Sequence, residues 1–309
     1  MNTDSEKKIC IVMAVHNGEK FLQEQLNSLE GQQCPYEIDL YISLDNTTDK
    51  SYEIIKKFNF VKVNLKKIYR CNFKSSAQNF IYLLSIVPKK YDTYMFSDQD
   101  DIWYENKILI SQEKLNQMSN TLPSLVCSRT RIINSVGKSI GKSPLFKKQP
   151  SFKNALVQSI AGGNTMAFNH VSKELITKFN LTKDLPSHDW FIYLLVTSFD
   201  GEVIYLESPL VKYRKHKQNV IGPNQSLGER YTRMIDFLQG KFSRMFWINI
   251  ENLEKYDLTN EKKEVLDILR GLKSKNFINR VRSVLKLNIY RQNIIASSFI
   301  NLAIILKKV

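Results

Sequence analysis

After a polar start, residues 9–15 form a short apolar, β-branched run of the kind a parallel sheet buries on both faces. From Glu19 the period changes. Phe21, Leu22, Gln25, Leu26 and Leu29 fall on one side of a helix that Gly31 can end. Residues 38–44 predict the next strand, followed by a polar turn at 45–49 and a helix through Ile54, Ile55 and Phe58. Residues 61–69 alternate as a third strand, and Ala77, Phe80, Ile81, Leu84 and Val87 mark a helix closed by Pro88. Residues 91–96 are strand-like and run directly into Ser97-Asp98-Gln99-Asp100-Asp101, ahead of a helix through Ile108 and Leu115. The pattern then predicts a strand at 125–133, a loop at 137–150, a short helix at 152–160 and a Gly-Gly turn. A strand at 165–168, a helix up to Phe179, an apolar helix at 190–199 and closing strands at 202–206 and 210–213 follow. Strands alternating with helices predict an α/β layer fold with a largely parallel sheet.

The character shifts near Gly222-Pro223-Asn224, and from about Leu227 the pattern is helical with no convincing strand. Residues 1–225 therefore read as the chemical domain and 226–309 as a helical appendage. With 43% apolar and 24% charged residues, the chain is neither collagen-like, low-complexity nor wholly disordered. No apolar run approaches the roughly 18 residues of a membrane-spanning helix. The start lacks the apolar core and cleavage site of a secretory signal, which predicts a cytosolic chain. Cys10, Cys34, Cys71 and Cys127 are too widely spaced for a zinc or disulfide framework, so reduced thiols are expected.

The net charge of +15 is unevenly spread. After Asp267 there is no acidic residue, while Arg270, Lys273, Lys275, Arg280, Arg282, Lys286, Arg291, Lys307 and Lys308 follow. Apolar residues at helical spacing run through the same segment, which is the pattern of an interfacial helix; helix–helix homodimerisation is the alternative. An anionic membrane face or a nucleic acid would suit the charge. No nucleic-acid-binding signature is present, and the acidic loops argue against such a partner.

Ligands of parallel α/β sheets bind at the carboxyl ends of strands, and the acidic segment after residue 96 sits at such an end. Asp98 and Asp100, two apart, point the same way in extended chain and offer hard oxygens to Mg²⁺ or Mn²⁺ on a diphosphate. A helix cap with solvated neighbours explains them equally well. Asp45 closes the second strand at the same edge, where it would accept the imide N–H of uracil or thymine or simply form a turn. His16-Asn17-Gly18 follows the first strand, with Gly18 allowing close backbone approach. Gly162-Gly163-Asn164 offers the same freedom to an acceptor. Arg214, Lys215 and Lys217 around His216 make a cationic patch suited to phosphate. Trp103 and Trp190 are stacking candidates or core residues.

Six segments, in order over residues 9–222, resemble inverting glycosyltransferases of family two. They are Val12-Met13-Ala14-Val15-His16-Asn17-Gly18-Glu19-Lys20-Phe21-Leu22, Ser43-Leu44-Asp45-Asn46-Thr47-Thr48-Asp49, Phe96-Ser97-Asp98-Gln99-Asp100-Asp101-Ile102-Trp103, Gly163-Asn164-Thr165-Met166-Ala167-Phe168-Asn169, His188-Asp189-Trp190 and Tyr213-Arg214-Lys215-His216-Lys217-Gln218-Asn219-Val220-Ile221-Gly222. The nearest likeness is to rhamnosyltransferase-type members that build bacterial cell-wall, capsular or lipopolysaccharide glycans. The resemblance implies a GT-A fold (Rossmann-like, a mainly parallel central sheet flanked by helices) and transfer of L-rhamnose from dTDP-rhamnose to a saccharide acceptor, lipid-linked in related enzymes. A UDP-hexose donor is the runner-up, and a basic nucleic-acid-binding or non-catalytic α/β protein the alternative class.

Residue by residue, the resemblance implies Asp189 as catalytic base and Ala14, His16, Asn17, Asp45, Asp98, Arg214 and His216 at the donor. Asp100, Asp98 and His216 would hold Mn²⁺ or Mg²⁺, and Gly163, Asn164, His188 and Trp190 would meet the acceptor. Leu44 stands where the family often has a first acid, and Asn46-Thr47 where it has Gly-Ser. Leucine makes no polar contact to base or ribose, so the choice between uridine and thymidine donors stays open. Lipid-linked acceptors and the basic tail together predict peripheral docking at the inner face of the cytoplasmic membrane.

Overall fold

Residues 7–88, 91–178, 185–216 and 239–309 are described by a computed structural model. The predicted alternation folds as β1 (Lys8–Val15), α1 (Leu22–Glu30), β2 (Glu37–Asp45), α2 (Ser51–Lys57), β3 (Val63–Cys71), α3 (Ser76–Ile86) and β4 (Thr93–Asp98). β1 has a parallel neighbour on each side: Val15 lies opposite Leu44 of β2, and Ala14 opposite Asp98 of β4. Cores on both faces of the sheet leave β1 and β2 buried almost without interruption, whereas the edge strand β3 is largely exposed or half-buried. The chain winds outward from β1 through β2 to β3, then returns to the other side of β1 as β4. The carboxyl ends of β1 and β4 thus flank the switch point at which doubly wound sheets bind ligands.

The second half adds β5 (Ile102–Trp103), α4 (Lys107–Asn116), β6 (Ser124–Ile133), β7 (Ser139–Lys142) and α5 (Phe152–Ala155). It continues with β8 (Ala167–Asn169), α6 (His170–Thr177), α7 (His188–Ser198) and β9 (Glu202–Arg214). The described strands make one sheet in the order β3-β2-β1-β4-β8-β6-β9-β5, with β7 paired to β6. Its long ladders, β1/β2, β2/β3, β1/β4 and β6/β9, are parallel, and the short ones antiparallel.

Four local expectations are corrected. β7 lies inside the predicted loop 137–150, returning on β6 through the Asn134–Lys138 turn. β5 is two residues long, too short to show a period, yet Ile102 and Trp103 pair with β9. The expected strand at 165–168 begins only at Ala167, because Gly163–Thr165 forms a 3₁₀ turn. The two closing strands are one, β9, whose register against β6 slips around Pro209, a residue with no N–H for the ladder.

Four described helices follow: α8 (Lys241–Leu253), α9 (Asn260–Gly271), α10 (Phe277–Leu287) and α11 (Ile294–Ile305). The expected boundary at residue 225, and the helical start between 227 and 238, lie outside the described residues. On one side of the sheet, Leu22, Leu26, Ile55 and Ile108 pack against Ile9, Ile11 and Met13. On the other, Phe80, Phe152, Phe191 and Val196 share a single buried cluster with Phe246, Ile250, Leu269, Val284 and Ile300 of the C-terminal helices. The appendage therefore completes a core instead of enclosing its own. Among the described residues, no helix is long and apolar enough to cross a membrane.

Because Phe246 is buried where the two halves meet, Phe246→Ala should lower unfolding free energy by about 3–5 kcal/mol. Urea unfolding followed by circular dichroism and by tryptophan fluorescence should stay coincident. Two resolved transitions would show that the C-terminal helices fold as a separate unit.

Candidate active site

β1 ends at Val15, and its following loop is laced to both neighbours. The His16 backbone N–H donates to Gln99 Oε1 (2.6 Å), and Gln99 Nε2 donates back to the His16 carbonyl (2.8 Å). A Cβ on Gly18 would lie 2.7 Å from Gln99 Oε1, so glycine is what lets this amide close in. Asn17 adopts a left-handed backbone (φ 47°) and accepts the Thr48 N–H through Oδ1 at 2.9 Å. His16 Nδ1 donates to the Asp45 carbonyl (2.7 Å), while the buried Asp45 carboxylate accepts the Phe73 N–H at 2.6 Å. Asp98 is level with Ser43 across β1, so Asp45 stands two strand spacings away and two residues further along, about 12 Å in all.

The acidic loop sits on that edge. Asp98 ends β4, and Asp100 Oδ2 lies 2.7 Å from His216 Nε2, whose ring is backed by Phe21 at 5.2 Å. Asp101 is fully buried, accepting from the Arg214 N–H (3.1 Å) and from Asn164 Nδ2. Beneath them the buried Lys107 ammonium donates to the Asn164 carbonyl at 2.7 Å. Burial, reinforced by the charges of Asp101, Asp100 and Asp189, holds the Asp98 carboxyl well above the usual range. Burial and Asp100 push Asp101 up to about 7. Burial also drives Lys107 well below its ordinary value, against the pull of Asp101 and Asp98. With too few cations beside them, the buried acids are thus held toward their protonated forms.

Asp189 enters from the first turn of α7. Ser187 caps that helix, accepting the Trp190 N–H at 3.4 Å, and its hydroxyl also bonds Asp189 Oδ1. Oδ1 further accepts the Trp190 N–H (2.7 Å), and Oδ2 accepts the Gly163 N–H (3.3 Å). The influence of Asp189 on Asp98 places both carboxylates in one electrostatic neighbourhood.

Several expected contacts are relocated. Arg214 is 1% exposed: Nε bonds the Asp100 carbonyl (3.0 Å), NH1 the Ser135 carbonyl (3.3 Å) and NH2 Glu24 (2.8 Å). It braces the acidic loop from below and presents no open face to a phosphate. Asn164 is buried between Asp101 and Lys107, not offered to an acceptor. Trp190 is core, with Nε1 on the Ala155 carbonyl (2.7 Å) and its ring stacked on Phe242. His188 packs against Phe80 and Phe96, its Nε2 enclosed without a partner, and a Cβ on Gly163 would sit 2.5 Å from that nitrogen. Ala14, His16, Asn17, Asp45, Asp98 and Asp100 stand at or just past the carboxyl ends of β1, β2 and β4, with His216 on Asp100 and Asp189 on Gly163. Lys217–Gly222 lie outside the described residues. Sequence reasoning leaves Asp101, Gln99, Lys107 and Glu24 without roles. Asp101 and Gln99 stand inside the acidic motif, whereas a buried lysine at a helix start gives no signal.

Among the described residues, no group of three His, Cys, Asp or Glu side chains is arranged to hold a metal ion. Hard carboxylate oxygens, crowded enough to favour protonation, nevertheless fit a divalent cation that takes most of its ligands from a diphosphate.

The sequence pattern of Glycosyl transferase family 2 matches residues 10–175. A curated relative, "dTDP-rhamnosyl transferase RfbG" of Shigella flexneri, is 27% identical over 236 residues, covering 72% of this chain and 78% of the relative. Among solved structures, S. aureus TarS 1-349 in complex with UDP-GlcNAc superposes with a TM-score of 0.58 at 15% identity, over 84% of this chain and 70% of that one. TarS 1-349 in complex with UDP gives 0.56 at 15% identity, over 98% and 81%. These likenesses establish the GT-A fold class, a mixed α/β sheet flanked by helices with helices at the C-terminus.

Burial holds the His188 imidazole below its ordinary 6.5, against the pull of Asp189. The unfolded chain therefore binds this proton first, and stability is lost as pH falls from about 6.5 through the lower folded value. His188→Leu should show a shallower loss of urea midpoint than the wild type between pH 7 and about 5. Identical slopes would mean the ring is not held neutral.

Proposed function

We propose, for a chain that belongs to glycosyl transferase family 2, that it moves L-rhamnose from dTDP-rhamnose to a hydroxyl of a saccharide acceptor with inversion. The observation that carries this reading is the convergence of Asp45, Asp98 and Asp100 on the switch point, with Asp189 reaching the same pocket over Gly163. The dTDP-rhamnosyl relative supports the donor. A lipid-borne acceptor in bacterial surface-glycan assembly, at the inner face of the cytoplasmic membrane, completes the reading. Residues 1–225 then form the donor-binding and catalytic unit, and 226–309 the appendage.

The acceptor oxygen attacks the anomeric carbon, the bond from that carbon to the diphosphate oxygen breaks, and its electron pair leaves with the nucleoside diphosphate. The acceptor proton passes to Asp189, a general base positioned in a half-buried site. Two donors fix Oδ1, so Oδ2, with only the longer Gly163 bond, is the oxygen that receives the proton. One displacement at carbon inverts it, and holding both partners in place lowers the entropic part of the barrier. Asp45 keeps one carboxylate oxygen on Phe73 and turns the other to the imide N–H of the base. Uracil and thymine share that N–H, and the buried Leu44 packs in the core, so the base methyl is read elsewhere. Asp100, with Asp98 and His216, would hold Mn²⁺ or Mg²⁺, which when bound offsets charge on the departing diphosphate.

Asp189→Asn keeps an oxygen for the Trp190 N–H, so donor affinity should hold while kcat falls by roughly 10²–10⁴. Retained turnover would reassign the base. Asp100→Ala should abolish Mn²⁺-dependent nucleotide binding in calorimetry, and unchanged affinity would remove the metal from this reading.

A further inference from the structure

The last helix is apolar on two sides. One side of α11 (Ile294–Ile305) places Ile300, Ala303 and Ile304 in the core. The other leaves Ile294 and Ile295 each 75% exposed, with Leu302 at 52% and Leu306 at 51%. At 3.6 residues per turn, Ile295, Leu302 and Leu306 fall within about 40° of one another. α10 (Phe277–Leu287) behaves alike: Val284 and Leu287 are buried, while Ile278 and Leu285, seven apart, are exposed. A helix on a water-facing surface ordinarily shows one apolar stripe, so a second contiguous one marks a contact surface.

Cations frame this face. Arg282, Lys307 and Lys308 are exposed and form no ion pair among the described residues. At the other end of α11, the exposed Lys148 reaches the Arg291 carbonyl at 3.1 Å, beside the exposed Lys147. We propose that the outer faces of α10 and α11 lie on an anionic lipid bilayer. An apolar stripe rimmed by lysine and arginine suits the acyl boundary and its headgroups at once. At about 18 Å, α11 is too short to cross the roughly 30 Å hydrocarbon core, but suits lying in its plane. Twofold pairing of two copies would instead bring one cationic rim against itself.

The docking face is tied to the site. Gln292 N–H donates to Gln158 Oε1 (2.7 Å), Arg291 Nε to the Val157 carbonyl (2.9 Å), and Asn154 Nδ2 to the Tyr290 carbonyl (3.0 Å). From Gln158 the chain runs directly to Gly163, which touches Asp189. Docking by this face therefore holds the Asp189 rim at a fixed relation to the lipid surface. That orienting role rests on the sugar-transfer reading, whereas lipid binding itself does not.

Flotation of the full chain with phosphatidylcholine vesicles, with and without phosphatidylglycerol, tests the proposal. The phosphatidylglycerol vesicles should carry about tenfold more protein. The double variants Ile295→Ser/Leu302→Ser and Lys307→Glu/Lys308→Glu should each reduce that binding by about tenfold. All four positions are exposed, so thermal midpoint and nucleotide affinity should match the wild type, which separates loss of docking from failure of the sugar-transfer reading. Wild-type flotation by both variants would overturn the proposal. So would a dimer in sedimentation equilibrium that the serine variant dissociates while no vesicles bind, since a second copy would then be the occupant.

Discussion

Four carboxylates, Asp98, Asp100, Asp101 and Asp189, gather where β1 and β4 end, and their burial, reinforced by mutual repulsion, shapes what surrounds them. Each neighbour answers that constraint. Arg214 gives its backbone N–H to Asp101 and its guanidinium to the Asp100 carbonyl. His216 sits on Asp100, while Asn164 and Lys107 lie beneath Asp101. These contacts hold the loop while burial drives Asp98 and Asp101 toward their protonated forms and Lys107 toward its uncharged form. A cation bound there would take the place of those protons.

The topology delivers those neighbours. The crossover that puts β4 beside β1 creates the crevice, and β5 pairing with β9 moors the chain immediately after Asp101. β9 then ends at Arg214, two residues before His216, so one short antiparallel ladder fixes both the acidic loop and the basic side chains that answer it. From the opposite side, the 3₁₀ turn at Gly163–Thr165 brings one N–H to Asp189 and the Asn164 side chain to Asp101. The two groups of acids are joined by three residues of turn.

Much of this arrangement is legible in the order of the residues alone. Both-faced burial leaves a continuous apolar run in β1, and helical period marks α1 and α3, so the alternation needs no tertiary knowledge. The acidic run after a buried strand is visible too, although the residue order alone weighs a metal site and a helix cap equally. What the residue order does not carry is the direction of side chains whose type suits two environments. Arg214 looks like a phosphate ligand in sequence, yet its guanidinium is buried under the loop. Asn164 after two glycines and His188 at a helix start look like surface polar groups, yet both are packed inward. Trp190 begins a helix and could have faced outward, but its indole is held by Ala155. Such choices depend on which sides of an element are covered, and that information lies in distant segments.

α7 shows how far that dependence extends. Trp190 to Ser198 are buried without a break, and a helix apolar all round needs cover on every side. α3 and the sheet supply part of it; the rest comes from the C-terminal helices, through Phe242 on Trp190 and Tyr256 on Phe191 and Phe199. Asp189 stands in the first turn of that same helix, so its aim into the acidic pocket is fixed by packing supplied more than fifty residues later in the chain. The C-terminal helices therefore belong to the site as much as to the surface. Their inner faces hold the helix that carries Asp189, and the outer faces of the last two remain apolar because nothing described within the fold uses them.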